Sequence, residues 1–425
     1  MIVMSTIKSE FIQQCIIRGF LNQSTDLTQL DELMAKKSVT AYLGFDATAT
    51  SLHVGNLVQV MLLRLLQRTG HKPIVLIGGG TTRAGDPSGK DEMRKILSVE
   101  EIEKNSNGIR TVFKKYLNFD HGDTQALMVN NADWLLDLNY LDFLRDYGRH
   151  FSVNRMLTFD VIKNRLDREQ PLSFLEFNYM VLQAYDFLAL NKRHDCELQF
   201  GGSDQWANII SGVDLVRRVN KKEVFGFTTP LITTSTGAKM GKTAQGAVWL
   251  NEDMLPTFEF WQFWRNTEDA DVGRFLRLFT DLPILEIEKL EALQGAEINE
   301  AKLILADEAT RLCHGNDAVQ HARRTAEQLF SSKQGDINEL RHSLPSIDVS
   351  KQQVENGIAI IDLIKQTALA SSNSEARRLI QGKGAKLNDE TIVDEKQRIT
   401  LADFKDKSYL KLSAGKKRHA IINLV

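Results

Sequence analysis

The sequence has little cysteine and no long apolar segment. Its 425 residues include three cysteines, Cys15, Cys196 and Cys313, spaced too widely for a metal-binding pattern or a disulfide framework. This usage is typical of a reducing compartment. The N-terminal stretch MIVMSTIKSEF turns polar within a few residues, unlike a secretory signal, and no apolar run approaches the roughly 20 residues that span a bilayer. We therefore expect a soluble, cytoplasmic protein with no membrane partner.

Two common nucleotide-binding fingerprints are also missing. In GDPSGKDEMR, three residues separate Gly85 from Gly89 where a P-loop has four, and Asp91 stands where a P-loop has Ser or Thr. The dinucleotide pattern GxGxxG is absent from every glycine-rich turn, and we find no internal repeats. A nucleotide, if one binds, has to be held in another way.

Charge is unevenly distributed along the chain. The net charge is −2, but residues 351–425 contain 14 Lys and Arg against nine Asp and Glu, a local excess of +5. The remaining chain is acidic as a result. An acidic body with a basic C-terminal segment indicates that this segment contacts a polyanion.

The order of apolar segments predicts an α/β fold. VTAYLGF and KPIVLIGGG have the composition of buried strands and flank the helical segment LVQVMLLRLLQRTG, which together predict a βαβ unit of a parallel sheet. Long helices are predicted from there to about residue 190, before CELQFGG and EVFGFTT resume the sheet. The first half should therefore be a doubly wound, Rossmann-like domain.

The chain should divide into four segments. We predict an α/β domain with a helical insertion at about 120–175, then an α-helical domain, a polar linker and a small α+β domain. These segments cover residues 1–250, 251–332, 333–353 and 354–425.

Glycine-rich turns follow three of the predicted strands: GFDATATSLHVGN, GGGTTRAGDPSGK and FGGSDQWAN. Ligands of a doubly wound sheet bind at the carboxyl ends of its strands, where such turns lie. Within HVGN, His53 and Asn56 stand at the start of a helix beside Gly55. This is either a capped helix start or a phosphate site, because a helix N-terminus offers free N–H donors to an anion.

A second polar loop, TTSTGAKMGKTAQG, contains Lys239 and Lys242. Alone it would be a solvated turn. Taken with HVGN, it resembles the KMSKS loop, and HVGN resembles the HIGH motif, of class I aminoacyl-tRNA synthetases. The whole chain is similar to the bacterial tyrosyl-tRNA synthetase family, because YLGFDATATSLHVGNL, GDPSGK, FNYMVLQAYDF, QFGGSDQWANI and KMGKT occur in that family's order. It departs from the pattern at Asn56, where His is usual, and at Ala47, where Pro is common.

Spacing and resemblance together suggest a tyrosine pocket. Tyr179, Gln183 and Asp186 stand at i, i+4 and i+7, on one helix face. Core packing explains Tyr179 equally well, but Gln183 and Asp186 would be costly to bury without a polar partner. The resemblance assigns Tyr42 and Asp186 to the substrate phenol. It assigns the α-ammonium group to Asp86, Tyr179 and Gln183. It places Gly202, Asp204 and Gln205 near the ribose and the substrate carboxylate.

The resemblance also implies the nucleotide site. It places ATP against Gly44, Asp46, Gly55, Gly202, Asp204 and Lys242, although Asp204 could equally be an acid at a helix start. It assigns stabilisation of the reacting phosphates to Thr48, His53, Asn56, Lys239, Lys242 and Thr243. ATP would be a substrate accompanied by Mg²⁺, with no tightly bound cofactor and no dedicated metal site.

The last segment, IAIIDLIKQTALASSNSEARRLIQGKGAKLND, resembles an S4-type RNA-binding module. Its candidate RNA contacts are Arg377, Arg378, Lys383 and Lys386, although any one of them could belong to a solvated basic face. The resemblance implies tyrosine–tRNA ligation with L-tyrosine, ATP and tRNA(Tyr) as partners, a tRNA-contacting helical domain, and a homodimer formed through the insertion. The alternative is a synthetase-derived RNA-binding protein without catalytic activity.

Overall fold

The computed structural model describes residues 6–87, 97–237, 240–243, 246–330, 344–404, 408–415 and 418–425, with the backbone alone at 242, 243 and 330. Contacts between residues divide the chain into two compact units. The first comprises residues 1–241, 249–251 and 267–313, and the second comprises 242–248, 252–266 and 314–425. None of the helices in the described ranges is both long and apolar enough to cross a membrane.

The first unit contains a six-stranded sheet with the order β1-β6-β5-β2-β3-β4. All neighbouring strands are parallel except β1, which runs antiparallel to β6. The sheet extends from β2 in both directions, so the strand order reverses between β2 and β5. This confirms the doubly wound arrangement, and it places the switch point beside HVGN. The strands are β1 (Gln23–Ser24), β2 (Thr40–Phe45), β3 (Lys72–Ile77), β4 (Leu127–Asn130), β5 (Cys196–Gly202) and β6 (Phe225–Thr229).

Several helices of the first unit begin with a side-chain cap. The Asp26 side chain accepts from the Gln29 N–H at 2.9 Å, and Ser98 and Glu101 form a reciprocal capping box. The helices up to residue 220 are α1 (Glu10–Arg18), α2 (Leu27–Lys36), α3 (Val54–Arg68), α4 (Val99–Tyr116), α5 (Ala132–Leu135), α6 (Tyr140–Asp146), α7 (Val153–Leu157), α8 (Asp160–Asp167), α9 (Phe174–His194) and α10 (Trp206–Asn220).

The prediction of long helices up to about residue 190 is wrong between residues 127 and 167. That segment contains β4 and the four short helices α5 to α8. Apolar runs as short as LMVN do not distinguish a strand from a helix by periodicity. Polar residues in this segment also start new helices. The Asn139 side chain accepts from the backbone N–H groups of Leu141 and Asp142 and so caps the start of α6.

The region from about 250 to 330 is helical, as predicted. Its helices are α11 (Thr257–Arg265), α12 (Asp269–Phe279), α13 (Ile284–Glu291), α14 (Ile298–His314) and α15 (Asn316–Phe330). Helices α12 and α13 belong to the first unit, whereas α11 and α15 belong to the second. A two-stranded ladder of β7 (Lys242–Thr243) and β8 (Gly246–Ala247) also belongs to the second unit.

The second unit also contains a small α+β module with its own apolar core. A five-stranded sheet has the order β12-β11-β14-β15-β9. Strand β9 runs parallel to β15, and β9 lies within the range that was predicted as a linker. The helix–turn–helix–strand order predicted for 358–389 is present. The elements are β9 (Ser346–Val349), α16 (Lys351–Glu355), β10 (Ile358–Ala359), α17 (Ile360–Gln366), α18 (Asn373–Gln381), β11 (Ala385–Leu387), β12 (Glu390–Thr391), β13 (Arg398–Ile399), α19 (Leu401–Phe404), β14 (Tyr409–Ala414) and β15 (Arg418–Leu424).

Candidate active site

A cavity of about 410 Å³ opens at the carboxyl ends of β2, β3 and β5. The three glycine-rich turns and one face of α9 form its walls. Its lining includes every predicted tyrosine- or ATP-site residue whose side chain is described. These are Tyr42, Gly44, Asp46, Thr48, His53, Gly55, Asn56, Asp86, Tyr179, Gln183, Asp186, Gly202, Asp204 and Gln205.

Asp186 lies at the deep end of this cavity and is 2% exposed. Its carboxylate accepts hydrogen bonds from Asn131 Nδ2 at 2.9 Å and Trp134 Nε1 at 2.8 Å. Burial raises the pKa of Asp186 to about 7, although these two hydrogen bonds favour the charged form. A carboxylate has about four acceptor positions, so capacity remains for a further donor.

Tyr42 lies near Asp186 and is 1% exposed. Its hydroxyl is buried and makes no hydrogen bond to any described residue. Burial and then the negative charge of Asp186 raise the pKa of Tyr42 well above its usual value, so the hydroxyl is neutral at pH 7. An unsatisfied buried hydroxyl costs on the order of 1–3 kcal/mol, and a polar ligand would remove that penalty.

Asp46 and Tyr179 form a second polar group along the wall. The Asp46 carboxylate accepts from Thr81 Oγ1 at 2.8 Å and from Tyr179 Oη at 3.1 Å. Burial raises the pKa of Tyr179, and the charges of Asp46, Asp86 and Asp186 raise it further. Three carboxylates around one phenol make this part of the cavity negative, which suits a cationic group.

A third polar group is a chain of amides beside Asp86. Gln205 Nε2 donates to Asp86 Oδ2 at 2.8 Å. Asn208 Nδ2 donates to Gln183 Oε1 at 3.0 Å and to Gln205 Oε1 at 3.1 Å. This bond uses one lone pair of Gln183 Oε1, so the oxygen keeps a second acceptor position for a further donor.

The HVGN stretch begins α3 and forms a capped helix start, the first of the two alternatives considered for it. His53 is the N-cap, and its Nδ1 accepts from the Gly55 N–H at 3.0 Å, while Asn56 Oδ1 accepts from the His53 N–H at 3.3 Å. An accepting Nδ1 assigns the neutral ring's proton to Nε2. With Oδ1 used in the cap, Asn56 keeps its amide N–H groups as donors.

The structure gives a reason for Gly55 that the sequence did not suggest. A methyl group on Gly55 would lie 2.7 Å from Cε1 of His53 and 2.8 Å from the carbonyl oxygen of Met240. Gly55 is therefore required by contacts within the chain itself, with the motif histidine and with the segment of the second motif.

Three predicted phosphate contacts are not described. Lys239 lies outside the described residues, as do the side chains of Lys242 and Thr243. The predicted RNA contacts are described, and all four are exposed. Arg377 and Arg378 lie on α18, Lys383 follows that helix, and Lys386 lies on β11.

Sequence reasoning missed four residues that hold the predicted ones in place. They share a position in, or just after, a turn at the end of a strand, and they are Thr81, Asn131, Trp134 and Asn208. The NNADW stretch at the end of β4 was a detectable signal, because polar residues at the carboxyl end of a parallel strand face the ligand site. It was missed because β4 itself was not predicted.

Comparisons with known proteins agree with this geometry. A family model described as class I tRNA synthetases (W and Y) matches residues 34–331. A model of the tyrosine–tRNA ligase SYY-like C-terminal domain matches residues 336–422.

Two curated relatives match almost the full length. The tyrosine–tRNA ligase of Rhodospirillum rubrum is 58% identical over 422 residues, 99% of this chain and 100% of the relative. That of Methylocella silvestris is 56% identical over 418 residues, 98% of each chain. A C-terminally truncated Aspergillus nidulans mitochondrial tyrosyl-tRNA synthetase is 32% identical with a TM-score of 0.68, over 77% of this chain and 97% of its own. The chain belongs to the tyrosine–tRNA ligase family of class I aminoacyl-tRNA synthetases.

Proposed function

We propose that this chain joins L-tyrosine to tRNA(Tyr) in two steps, through a tyrosyl-adenylate made from tyrosine and ATP. The observation that carries the proposal is the deep end of the cavity, where the unsatisfied Tyr42 hydroxyl lies near the buried Asp186 carboxylate. A phenol can donate to the carboxylate and accept from Tyr42. Phenylalanine could do neither.

The remaining tyrosine groups fit the walls. We assign the α-ammonium group to the negative region around Asp86, Tyr179 and Gln183, because three carboxylates act on Tyr179 there. We assign the α-carboxylate to the neighbourhood of Gln205, whose amide is held between Asp86 and Asn208. In this orientation the carboxylate points out of the deep end and towards the HVGN turn.

ATP then occupies the outer part of the cavity. We assign its nucleoside to Gly44, Asp46, Gly202 and Asp204, and its phosphates to the start of α3. The N-terminus of α3 supplies a partial positive charge, and the His53 Nε2–H, the Asn56 amide and the Thr48 hydroxyl supply donors. We assign the leaving pyrophosphate to Lys239, Lys242 and Thr243, and the substrate is ATP with Mg²⁺ on its phosphates.

No side chain has to act as a nucleophile in this reaction. The tyrosine carboxylate attacks the α-phosphorus of ATP, the bond to the β-phosphate oxygen breaks, and pyrophosphate leaves with the electron pair. Catalysis therefore consists of positioning two substrates and stabilising charge that spreads over the phosphates. The rigid hydrogen-bonded walls described above serve the first task, and the cationic and N–H donors serve the second.

We propose that the C-terminal module binds tRNA through Arg377, Arg378, Lys383 and Lys386. They are exposed on consecutive elements of a small module. Phosphate contacts of this kind supply affinity without sequence information.

We also propose a homodimer formed through the segment at 120–175. This segment exposes several large apolar side chains, including Leu141 (73%), Phe174 (69%) and Tyr140 (59%). Apolar side chains concentrated in one segment mark an association surface. The three buried, unlinked cysteines suit a cytoplasmic location.

ATP–pyrophosphate exchange with a panel of amino acids tests the proposal. We expect exchange with tyrosine alone. Lys242→Ala should slow adenylate formation by about 10²-fold, the usual effect of removing one group that stabilises transition-state charge, and leave tyrosine affinity nearly unchanged. Lys222→Ala is the matched control, because Lys222 pairs with Asp195 at 3.0 Å and lines no part of the cavity.

Two outcomes would contradict the assignment. Absence of exchange with every amino acid would favour the RNA-binding alternative. A Lys242→Ala defect confined to tyrosine affinity would remove this lysine from the pyrophosphate site.

A further inference from the structure

The loop that carries the two motif lysines has a closed stem. A turn at 234–237 is fixed by a hydrogen bond from the Gly237 N–H to the Thr234 carbonyl oxygen at 2.9 Å. The Met240 N–H donates to the Ile232 carbonyl oxygen at 3.0 Å, which joins the two ends of the loop. The position of this stem therefore determines where the backbone reaches Met240 and the residues that follow it.

Two residues of α12 hold the stem. Asp271 is 3% exposed, and its Oδ2 accepts from the Ser235 N–H at 2.8 Å. Its Oδ1 accepts from Arg274 Nη2 at 2.9 Å, and Arg274 also donates to the carbonyl oxygen of Thr233. Asp271 and Arg274 therefore bind the backbone on both sides of Thr234, with Asp271 as the acceptor and Arg274 as the donor.

This use of Asp271 differs from the usual role of an acid at a helix start. Asp271 is the third residue of α12, from which a carboxylate commonly returns to the N–H of its own N-cap residue. In this structure its carboxylate accepts from the Ser235 N–H of the loop stem and from Arg274. A buried carboxylate is costly unless it is paired and hydrogen-bonded, so the stem bond is part of what allows Asp271 to lie there.

The far end of the loop contacts the motif histidine turn. The Met240 carbonyl oxygen and Gly241 crowd Gly55, and a methyl group on Gly241 would lie 2.7 Å from the Gly55 nitrogen. Gly241 also has φ +85°, a conformation that favours glycine. The residues immediately before Lys242 are therefore held between a stem anchored on α12 and the start of α3.

From these contacts we propose that Asp271 and Arg274 are positioning residues for the lysine loop. They touch no substrate. They fix the stem so that Lys242 starts from a defined place relative to the HVGN turn, and their effect on catalysis passes through that lysine. The inference rests on the proposed role of Lys242, because a loop without a catalytic group would not require a defined position.

A double-mutant cycle between Asp271 and Lys242 tests the inference. Adenylate formation at saturating tyrosine and tyrosine affinity are measured separately for Asp271→Ala, Asp271→Asn, Lys242→Ala and the double variant. Misplacing a catalytic group lowers the rate of the chemical step. We therefore expect Asp271→Ala to slow adenylate formation by about tenfold with little change in tyrosine affinity. Asp271→Asn keeps an acceptor for the Ser235 N–H and should recover most of the rate.

The cycle separates positioning from general support of the fold. In the Lys242→Ala background, Asp271→Ala should slow adenylate formation by less than about threefold, because the effects of substitutions at coupled residues are not additive. Asp269→Asn is the matched control, because Asp269 lies in the first turn of α12 with Asp271. The substitution removes an exposed charge that pairs with Lys302 of α14, and the rate of this variant should equal that of wild type.

Each contrary result has a distinct meaning. Equal losses from Asp271→Ala in both backgrounds would overturn the positioning role, as would an equal fall in tyrosine affinity. If Lys242→Ala alone had no effect, the proposed function of the loop would fail instead. Thermal unfolding of Asp271→Asn, expected within a few degrees of wild type, shows whether its rate is measured on folded protein.

Discussion

At the scale of single residues, the protonation of Asp186 governs the tyrosine end of the cavity. Burial is the main cause of its raised pKa, about 7, and the charge of Asp46 adds to it. Asn131 and Trp134 donate to the carboxylate, and the neutral Tyr42 hydroxyl lies nearby. The carboxylate therefore takes up a proton within the range of pH in which enzymes are assayed.

Tyrosine affinity should consequently depend on pH. In the proposed binding mode the substrate phenol donates to the ionised form of Asp186, so binding would favour loss of the proton from this group. As pH falls below about 7, the tyrosine dissociation constant should rise by up to about tenfold per pH unit. It should be nearly constant above pH 8. Equilibrium titration between pH 5.5 and 8.5 measures this, over a range in which the tyrosine ammonium group stays charged.

Two variants identify the titrating group. Asp186→Asn cannot titrate and should abolish the inflection, while Tyr42→Phe keeps the carboxylate and should retain it. Tyr42→Phe should also reduce the preference for tyrosine over phenylalanine by about tenfold, since it removes one hydrogen bond. An inflection that persists in Asp186→Asn would place the titration elsewhere.

The residues that touch the cavity were largely predictable, and those that orient them were not. Tyr179, Gln183 and Asp186 share a helix face, so their spacing alone brings them together. Asn131 and Trp134 reach Asp186 from a strand end more than 50 positions earlier in the chain. No local periodicity relates positions that meet only through the order of strands in a sheet.

At the scale of elements, the segment between β4 and α9 shows what a sequence pattern leaves undetermined. Its apolar side chains suggested long helices with a buried face. The structure has short helices instead, and Tyr140, Leu141 and Phe174 are exposed. The helix lengths were wrong because Asn139 and Gly148 interrupt the chain, and the subunit contact through this segment stays a prediction.

A charge placed on this segment should separate the proposed dimer. Phe174→Glu would bury a carboxylate without a partner in the subunit contact, so the dimer dissociation constant should rise by about 10²-fold or more. The side chain is 69% exposed in the single chain, so the fold should be unaffected. Sedimentation equilibrium over a range of concentrations gives the association state.

A matched substitution outside the segment controls for general effects of charge. Leu285 on α13 is 74% exposed, and Leu285→Glu should leave the association state unchanged. A wild-type chain that sediments as a monomer at micromolar concentration would refute the dimer, and equal dissociation by both variants would place the contact elsewhere.

At the scale of the whole molecule, the sites proposed for adenylate formation and for tRNA binding lie in separate parts of the chain. The described residues that line the cavity all lie between Tyr42 and Trp249. The C-terminal module has its own core from Val349 to Ile422. Strand β9 pairs with β15, so the module already includes residues 346–349, which the polar sequence around them had suggested were linker. Long-range strand pairing of this kind leaves no local signal in composition.

Removing the C-terminal module should therefore preserve tyrosine activation and impair tRNA charging. The cut belongs between residues 331 and 336, where the two family matches meet, because a later cut would separate β9 from β15. The cavity lining is untouched by the cut, so pyrophosphate exchange should stay within about twofold of wild type. Aminoacylation should fall by an order of magnitude or more at moderate salt, because phosphate contacts supply much of the affinity for nucleic acid.

A full-length variant separates the charge of the module from its bulk. Replacing Arg377, Arg378, Lys383 and Lys386 by Gln together removes four exposed positive charges while leaving the module's apolar core in place. Each lost phosphate contact lowers the slope of log affinity against log salt by about one. The loss of affinity relative to wild type should therefore be largest at low salt for both the variant and the truncated chain, and smallest at high salt. Equal charging by all three proteins at every salt concentration would show that the module does not hold tRNA during the reaction. Loss of exchange in the truncated chain alone would mean that the module supports the catalytic unit through its fold.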